Sequence, residues 1–177
     1  MLLTLRLFLV IFLFWVPVAQ AEAKFPSLIS DDLNGVSHSL PDGLPGDPTI
    51  VFIAYKRGQQ PAVNTWVDAL GLDPNRGAEF VELPVVGSNA RLMRSVIDNG
   101  MRSGIVDRAL RERTITIYEN ASVVNNPLGF SGRNQIRVLI VKRDGSVLWS
   151  TSGAATEAGV AELKAVFCCG AVSRSFR

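Results

Sequence analysis

The sequence predicts one α/β domain: a mixed central sheet with flanking helices and a β-hairpin near its C-terminal end. Three observations carry this. Apolar strand-like runs alternate with helical runs from Thr49 to about Leu110, the pattern of strand–helix–strand units. Two further strand-like runs flank Asp144-Gly145, a hairpin turn signal that adds antiparallel pairing. The chain is 177 residues long, without internal repeat, which is one ordinary domain preceded by a leader.

The leader is residues 1–21. Arg6 is the last charge before Glu22, Leu7 to Val18 is an apolar run, and Ala19-Gln20-Ala21 supplies small residues where a signal peptidase needs close access to the backbone. The run is about 12 residues, against the ~20 that span a bilayer. The alternative is an uncleaved N-terminal anchor. Cleavage leaves a domain over 22–167, followed by a tail over 168–177. Eighteen Lys and Arg stand against 16 Asp and Glu, and Arg6 leaves with the leader, so the mature chain is nearly neutral. Neutrality gives no reason to expect nucleic acid or an anionic membrane as partner.

Phe25 to Asp47, rich in Ser, Asp, Gly and Pro and containing Asp32-Leu-Asn-Gly35 and a Pro41-Asp-Gly43 turn, reads as an irregular extension with room for a short hairpin. Thr49 to Tyr55 is a continuous apolar run suited to a central strand covered on both faces. Lys56 to Gln60 is a polar turn, and Pro61 opens a helix to Leu70, with Val63, Trp66, Val67 and Leu70 inward and Gly71 as its stop. Glu79 to Val86 is a second strand. Asn89 to Leu110 is helical, with Leu92, Met93, Val96, Ile97, Met101, Ile105 and Val106 expected on one buried side, and with Gly100 and Gly104 as interruptions. Thr114 to Tyr118 is a third strand, and Asn120 to Arg133 a loop. Gln135 to Lys142 and Ser146 to Thr151 form the hairpin, and Thr156 to Phe167 the closing helix.

The order strand–helix–strand–helix–strand–hairpin–helix over roughly Phe25 to Phe167 resembles the thioredoxin superfamily, in particular its peroxiredoxin-like and cytochrome-maturation branches. Ile53-Ala-Tyr-Lys-Arg-Gly-Gln-Gln60 with Thr65-Trp66, and Val138-Leu-Ile-Val-Lys-Arg-Asp-Gly-Ser-Val-Leu-Trp-Ser-Thr-Ser-Gly153, are similar to a group of exported bacterial proteins named for a mitochondrial ATP synthase assembly factor. The resemblance implies a thioredoxin-like fold. In its redox members a Cys-x-x-Cys pair follows the first core strand at a helix N-terminus, where the dipole stabilises a thiolate. This chain has Arg57-Gly-Gln-Gln60 there. The proline that faces such a pair is also missing: Ser131-Gly-Arg-Asn-Gln135 occupies its place.

What remains offers few sites. Arg57, Gln59 and Gln60 at the helix N-terminus are a candidate interaction set for an anion or a peptide carboxylate, or else a degenerate solvent-facing turn. Cys168 and Cys169 are a vicinal redox pair, a metal site or an intermolecular link, or else serve only tail packing. His38 lies in the N-terminal extension, remote from any thiol pair that would bind soft copper, so a surface or turn histidine is expected. Arg91, Arg94, Arg102, Arg108, Arg111 and Arg113 exceed Asp98, Asp107 and Glu112 by three charges, which fits an acidic partner, lipid headgroups or a solvated face. Trp66 and Trp149 fall on inward patterns, and Asn120-Ala-Ser122 is a glycosylation sequon that matters only in a glycosylating host. No phosphate loop, Ser-His-Asp set, metal-spaced Cys/His cluster or catalytic carboxylate pair is present, so no cofactor is expected.

Two functions follow as expectations. One is a non-enzymatic thioredoxin-like binding or assembly module, periplasmic or secreted, whose partner is a protein of the cell envelope and which meets the membrane only through an uncleaved signal. The other is a thiol-dependent oxidoreductase using Cys168 and Cys169. For the leader, N-terminal sequencing of envelope material is expected to begin at Glu22. Intact chain starting at Met1 in the membrane fraction would overturn that expectation.

Overall fold

The computed structural model describes residues 23–77 and 79–172. The expected leader and residues 173–177 of the expected tail lie outside the described residues. The elements are β1 (Leu28–Asp31), β2 (Ser37–Leu40), β3 (Thr49–Ala54), α1 (Gln60–Leu70), β4 (Phe80–Pro84), α2 (Arg94–Gly104), α3 (Arg108–Glu112), α4 (Ala121–Asn125), β5 (Arg137–Val141), β6 (Val147–Ser152) and α5 (Glu157–Val172).

The apolar run Thr49-Ile-Val-Phe-Ile is buried throughout and forms the central strand. β3 pairs in parallel with β4 and antiparallel with β5, and β5 pairs antiparallel with β6, giving the order β4-β3-β5-β6. Successive side chains of β3 leave on opposite faces and seed two cores. Ile50 and Phe52 join Phe80, Val138, Ile140, Val63, Trp66 and Leu163 under α1 and α5. Val51 and Ile53 join Val81, Leu83, Leu139 and Val141, covered by Phe25, Leu40 and Leu44 from the N-terminal extension and by Val124 and Leu128 from the α4 region.

Trp66 fixes the first face. Its indole Nε1 donates to the Gly153 carbonyl at 2.9 Å, and its ring meets Trp149 edge-on, centroids 6.1 Å apart. In the β5–β6 turn Gly145 takes φ +87°, which a side chain would resist, while Asp144 Oδ1 accepts from Ser146 N at 2.9 Å.

Several expectations change. The N-terminal extension does form a hairpin, β1–β2, paired Leu28↔Leu40 to Asp31↔Ser37. The expected third strand is an extended segment making isolated bridges on both edges. Ile115 and Ile117 donate to Glu82 and Pro84 carbonyls of β4, and Thr116 N donates to Asp31 of β1. The segment thus ties the hairpin to the main sheet.

The expected loop 120–133 holds α4, because Val124 and Leu128 recur at helical spacing and are buried. The closing helix runs past Phe167 through Cys168 and Cys169 to Val172, so the expected tail boundary falls within a helix.

The largest change is at Asn89–Leu110. It is a tight turn over Ser88–Met93, then α2, a break, and α3. Ile97, Met101 and Ile105 are half-buried, whereas Leu92, Met93, Val96 and Val106 are exposed at 97, 57, 63 and 83 %. On a helix turning 100° per residue the seven apolar positions span about 260° of circumference, more than one sheet edge can cover.

Candidate functional site: the turn after the central strand and a groove beside the hairpin

The turn that would carry redox chemistry follows β3. Lys56 to Gln60 make one tight turn into α1, with Pro61 in its first turn. Gln59 is directed inward. Its Oε1 accepts from Tyr55 N at 2.7 Å and Lys56 N at 3.2 Å, and its Nε2 donates to the Arg133 carbonyl at 2.9 Å. Lys56 Nζ donates to Asn134 Oδ1 at 3.0 Å. The side chain of Gln59 therefore closes the turn onto the facing 131–135 segment. Arg57 is exposed. Gln60 is engaged sideways, its Nε2 donating to Asn64 Oδ1 at 3.2 Å and Glu82 Oε2 at 3.1 Å. Of the three candidate residues, Gln59 is an internal tie, while Gln60 and Arg57 are exposed, Gln60 being bonded to a half-buried carboxylate.

The facing segment is held from behind. Tyr55 Oη donates to Asn125 Oδ1 at 2.5 Å, and Asn125 Nδ2 donates to the Gly132 carbonyl at 3.0 Å. Arg137 lies over the Phe130 ring at 4.7 Å and donates to the Ser131 carbonyl at 2.6 Å and to Ser152 Oγ. Burial pushes the Tyr55 phenol up, and the nearby Arg137 charge offsets part of that. The whole arrangement is built of neutral amides, a phenol, the Lys56 ammonium and the Arg137 guanidinium, and it contains no nucleophilic thiol.

The two cysteines are elsewhere. Cys168 and Cys169 are exposed on the last turns of α5 and are not disulfide-linked. Neighbours on a helix diverge by 100°, which separates their sulfurs, and a helix C-terminus disfavours a thiolate. Among the described residues no group of three or more His, Cys, Asp or Glu could hold a metal ion. His38, on β2, has Nε2 3.2 Å from Oδ2 of the buried Asp32. Asp32 Oδ1 accepts from Asn34 N and Val36 N, so this pair belongs to the hairpin turn.

Open space lies on the opposite edge of the sheet. One cavity of about 340 Å³ is lined by Leu28, Ile29, Ser30, Ile117, Tyr118 and Glu119, and another of about 610 Å³ by Asp31, Asp32, Gly35, Ser95, Asp98 and Arg102. Arg91 and Arg94 line both. The groove exists because the β1 ladder with 114–118 comes apart. Leu33 N reaches the Thr114 carbonyl, and Thr116 N reaches that of Asp31. Beyond that point side chains replace the rungs: Ser30 Oγ donates to the Thr116 carbonyl and Arg91 Nε to that of Tyr118.

Three of the six arginines, Arg91, Arg94 and Arg102, are engaged inside this groove. Arg91 pairs with Glu119, Arg94 with Asp31 at 2.8 Å and Asp98 at 3.5 Å, and Arg102 donates to the Leu33 carbonyl. Arg94 also lies over the Tyr118 ring, whose phenol donates to Asp98 Oδ1 at 2.7 Å. Burial and then that Asp98 contact push the phenol up. Exposed apolar side chains also line the groove, Ile29 in one cavity and Leu92 in the other, and Met93 and Val96, close to Leu92 in the chain, are exposed too. Sequence reading missed this exposure. Its signal was the width of the apolar arc on 92–106, which exceeds one face.

No protein-family model matches the chain, and no curated protein matches it. Solved structures do. The thioredoxin domain of a thiol-disulfide oxidoreductase from Bacteroides vulgatus matches with TM-score 0.51 and 14% identity, covering 84% of this chain and 99% of that one. The exposed lipoprotein thioredoxin of Streptococcus pneumoniae strain TIGR4 matches with TM-score 0.51 and 12% identity over 77% and 96%. BsSco, a member of the Sco family of cytochrome c oxidase assembly proteins, matches with TM-score 0.52 and 12% identity over 82% and 94%. The chain has a thioredoxin-like fold.

Two outcomes are expected. Gln59→Ala strands two backbone N–H groups and a carbonyl, and should cost about 1–3 kcal/mol in urea unfolding, whereas Arg57→Ala should change stability by no more than about 0.5 kcal/mol. Burial holds the Glu82 carboxyl above its ordinary value, partly offset by the Gln60 hydrogen bond. Its folded pKa exceeds its unfolded one, so the folded chain binds this proton more tightly, and the group lowers stability as pH rises through that window. Glu82→Gln should therefore stabilise the protein at neutral pH, with the gain vanishing below pH ~4. Unfolding midpoints at the two pH values check this.

Proposed function

We propose that this thioredoxin-like chain is a non-catalytic binding or assembly module, exported by its leader and working in the periplasm or outside the cell on protein partners of the envelope. The observation that carries the reading is the turn after β3. It has no thiol, and Gln59 bonds it shut against the segment that would otherwise face a substrate. A redox thioredoxin needs the reverse: a reactive thiolate at that helix N-terminus and a gap opposite it.

Three further points support the reading. The groove beside the hairpin offers exposed apolar side chains around internally paired charges, which suits contact with protein better than with nucleic acid. Among the described residues no helix is long and apolar enough to cross a membrane. A neighbour in fold is named as an assembly protein. The exposure of Cys168 and Cys169 favours the second reading, thiol-dependent exchange, in which that pair acts away from the usual site.

Disulfide-reduction and thiol-peroxidase assays separate the two. The mature protein, its Cys168→Ser/Cys169→Ser variant and glutathione at matched thiol concentration should react alike, apart from slow exchange of exposed thiols. The double variant should capture the same envelope proteins as wild type, and Leu92→Asp with Val96→Asp should lose them. Turnover well above glutathione, lost in the double variant, would sink the binding-module reading.

A further inference from the structure

We infer that Asn34 is a site of spontaneous covalent modification: its side-chain amide is lost through attack by the backbone nitrogen of Gly35, leaving aspartyl or isoaspartyl at the hairpin tip. The Gly35 nitrogen, having given its proton to solvent base, forms a bond to Asn34 Cγ. Nδ2 leaves as ammonia, and the five-membered imide is opened by water at either carbonyl. Only water is consumed and no electrons move.

The chain contains its own comparison set. Two amides precede glycine, Asn34-Gly35 and Asn99-Gly100, and acids precede glycine in Asp42-Gly43, closely packed on Ser39, and in Asp144-Gly145. Asn34 and Asp144 occupy the same turn. Gly35 N donates to the Asp32 carbonyl at 3.0 Å and Asp32 N to that of Val36 at 2.9 Å, just as Gly145 N donates to Lys142 and Lys142 N to Ser146. Both glycines have positive φ, +85° and +87°. This is the three-residue hairpin with a left-handed glycine. Both glycine nitrogens are hydrogen-bonded, but Asn99 lies inside α2, where the helix ladder on either side holds the backbone and the chain cannot pivot, whereas Gly35 N is held by a single turn bond.

Geometry therefore separates Asn34 from Asn99, and chemistry separates it from Asp144. The Asp144 carboxyl is held below its ordinary value by hydrogen bonding to Ser146, so it stays ionised and a poor target for attack. Asn34 alone combines a good leaving group with an exposed turn. Asn34 and Gly35 are both exposed, and the space beside the Gly35 Cα is open.

Conversion has a structural result. Asn34 Nδ2 donates to the Arg108 carbonyl at 3.1 Å, pinning the hairpin tip to the start of α3. A carboxylate has no proton to give and faces that carbonyl with like polarity. Isoaspartyl also lengthens the turn that Asp32 Oδ1 braces through Asn34 N and Val36 N. Gly35 lines the larger cavity, so the groove wall moves with the tip.

The test is peptide mass mapping of the folded mature protein after incubation at mildly alkaline pH, with isoaspartyl detection and an Asn34→Asp variant as product standard. Loss of the Asn34 amide is expected while Asn99 keeps its own, with faster amide exchange over 34–36 in both the converted protein and the variant. Retention of Asn34 for as long as Asn99, or conversion that begins only in denaturant, would overturn the inference.

Discussion

Burial of one strand on both faces is the constraint from which the rest of the architecture follows. β3 offers no polar side to water, so each face must be roofed. α1 and α5 cover one side because their apolar stripes match a sheet at helical spacing. The other side cannot be roofed from the α1 and α5 crossovers alone. The N-terminal extension does it with Phe25, Leu40 and Leu44, and α4 completes it. A stretch that reads as irregular leader-to-strand chain is thus as much a part of the core as any helix.

That demand also shapes the end of the central strand and the far edge. At the end of β3 the chain turns under side-chain control, with Gln59 supplying three hydrogen bonds where related folds place reactive sulfur. A buried amide with three of its four hydrogen-bonding positions filled stiffens its surroundings. At the far edge the 114–118 segment has to serve β4 and the hairpin together. It does so for only a few rungs before the strands part and the groove begins. The end of the central strand is closed by a single glutamine, and the far edge is held open by Ser30 and Arg91.

The sheet was legible in the sequence because its signals are local. Thr49–Ala54 is an unbroken apolar run, Asp144-Gly145 announces its turn, and Gly71 stops its helix. The departures share a cause, which is that partners distant in sequence decide them. Val124 and Leu128 look like loop residues until the second face of β3 needs covering. Leu92 and Val96 look like core until α2 is seen to rest on an edge segment. Gln59 reads as polar and exposed because nothing near it in sequence announces the Arg133 carbonyl. At the candidate site, then, the absence of thiols was readable directly, but the tie that replaces them was not.

The Trp66–Trp149 contact makes the folded domain a selective optical reporter. Trp66 and Trp149, the two indoles among the described residues, sit 6.1 Å apart in one aromatic pair. At that separation their transitions couple, so near-ultraviolet dichroism and intrinsic emission both register the joint between α1, β6 and α5. The hairpin and its groove carry no indole. Changes there pass unseen by tryptophan light, whereas the slightest loosening of α5 is recorded in full. Emission and backbone dichroism should therefore part company whenever the hairpin edge melts before the sheet.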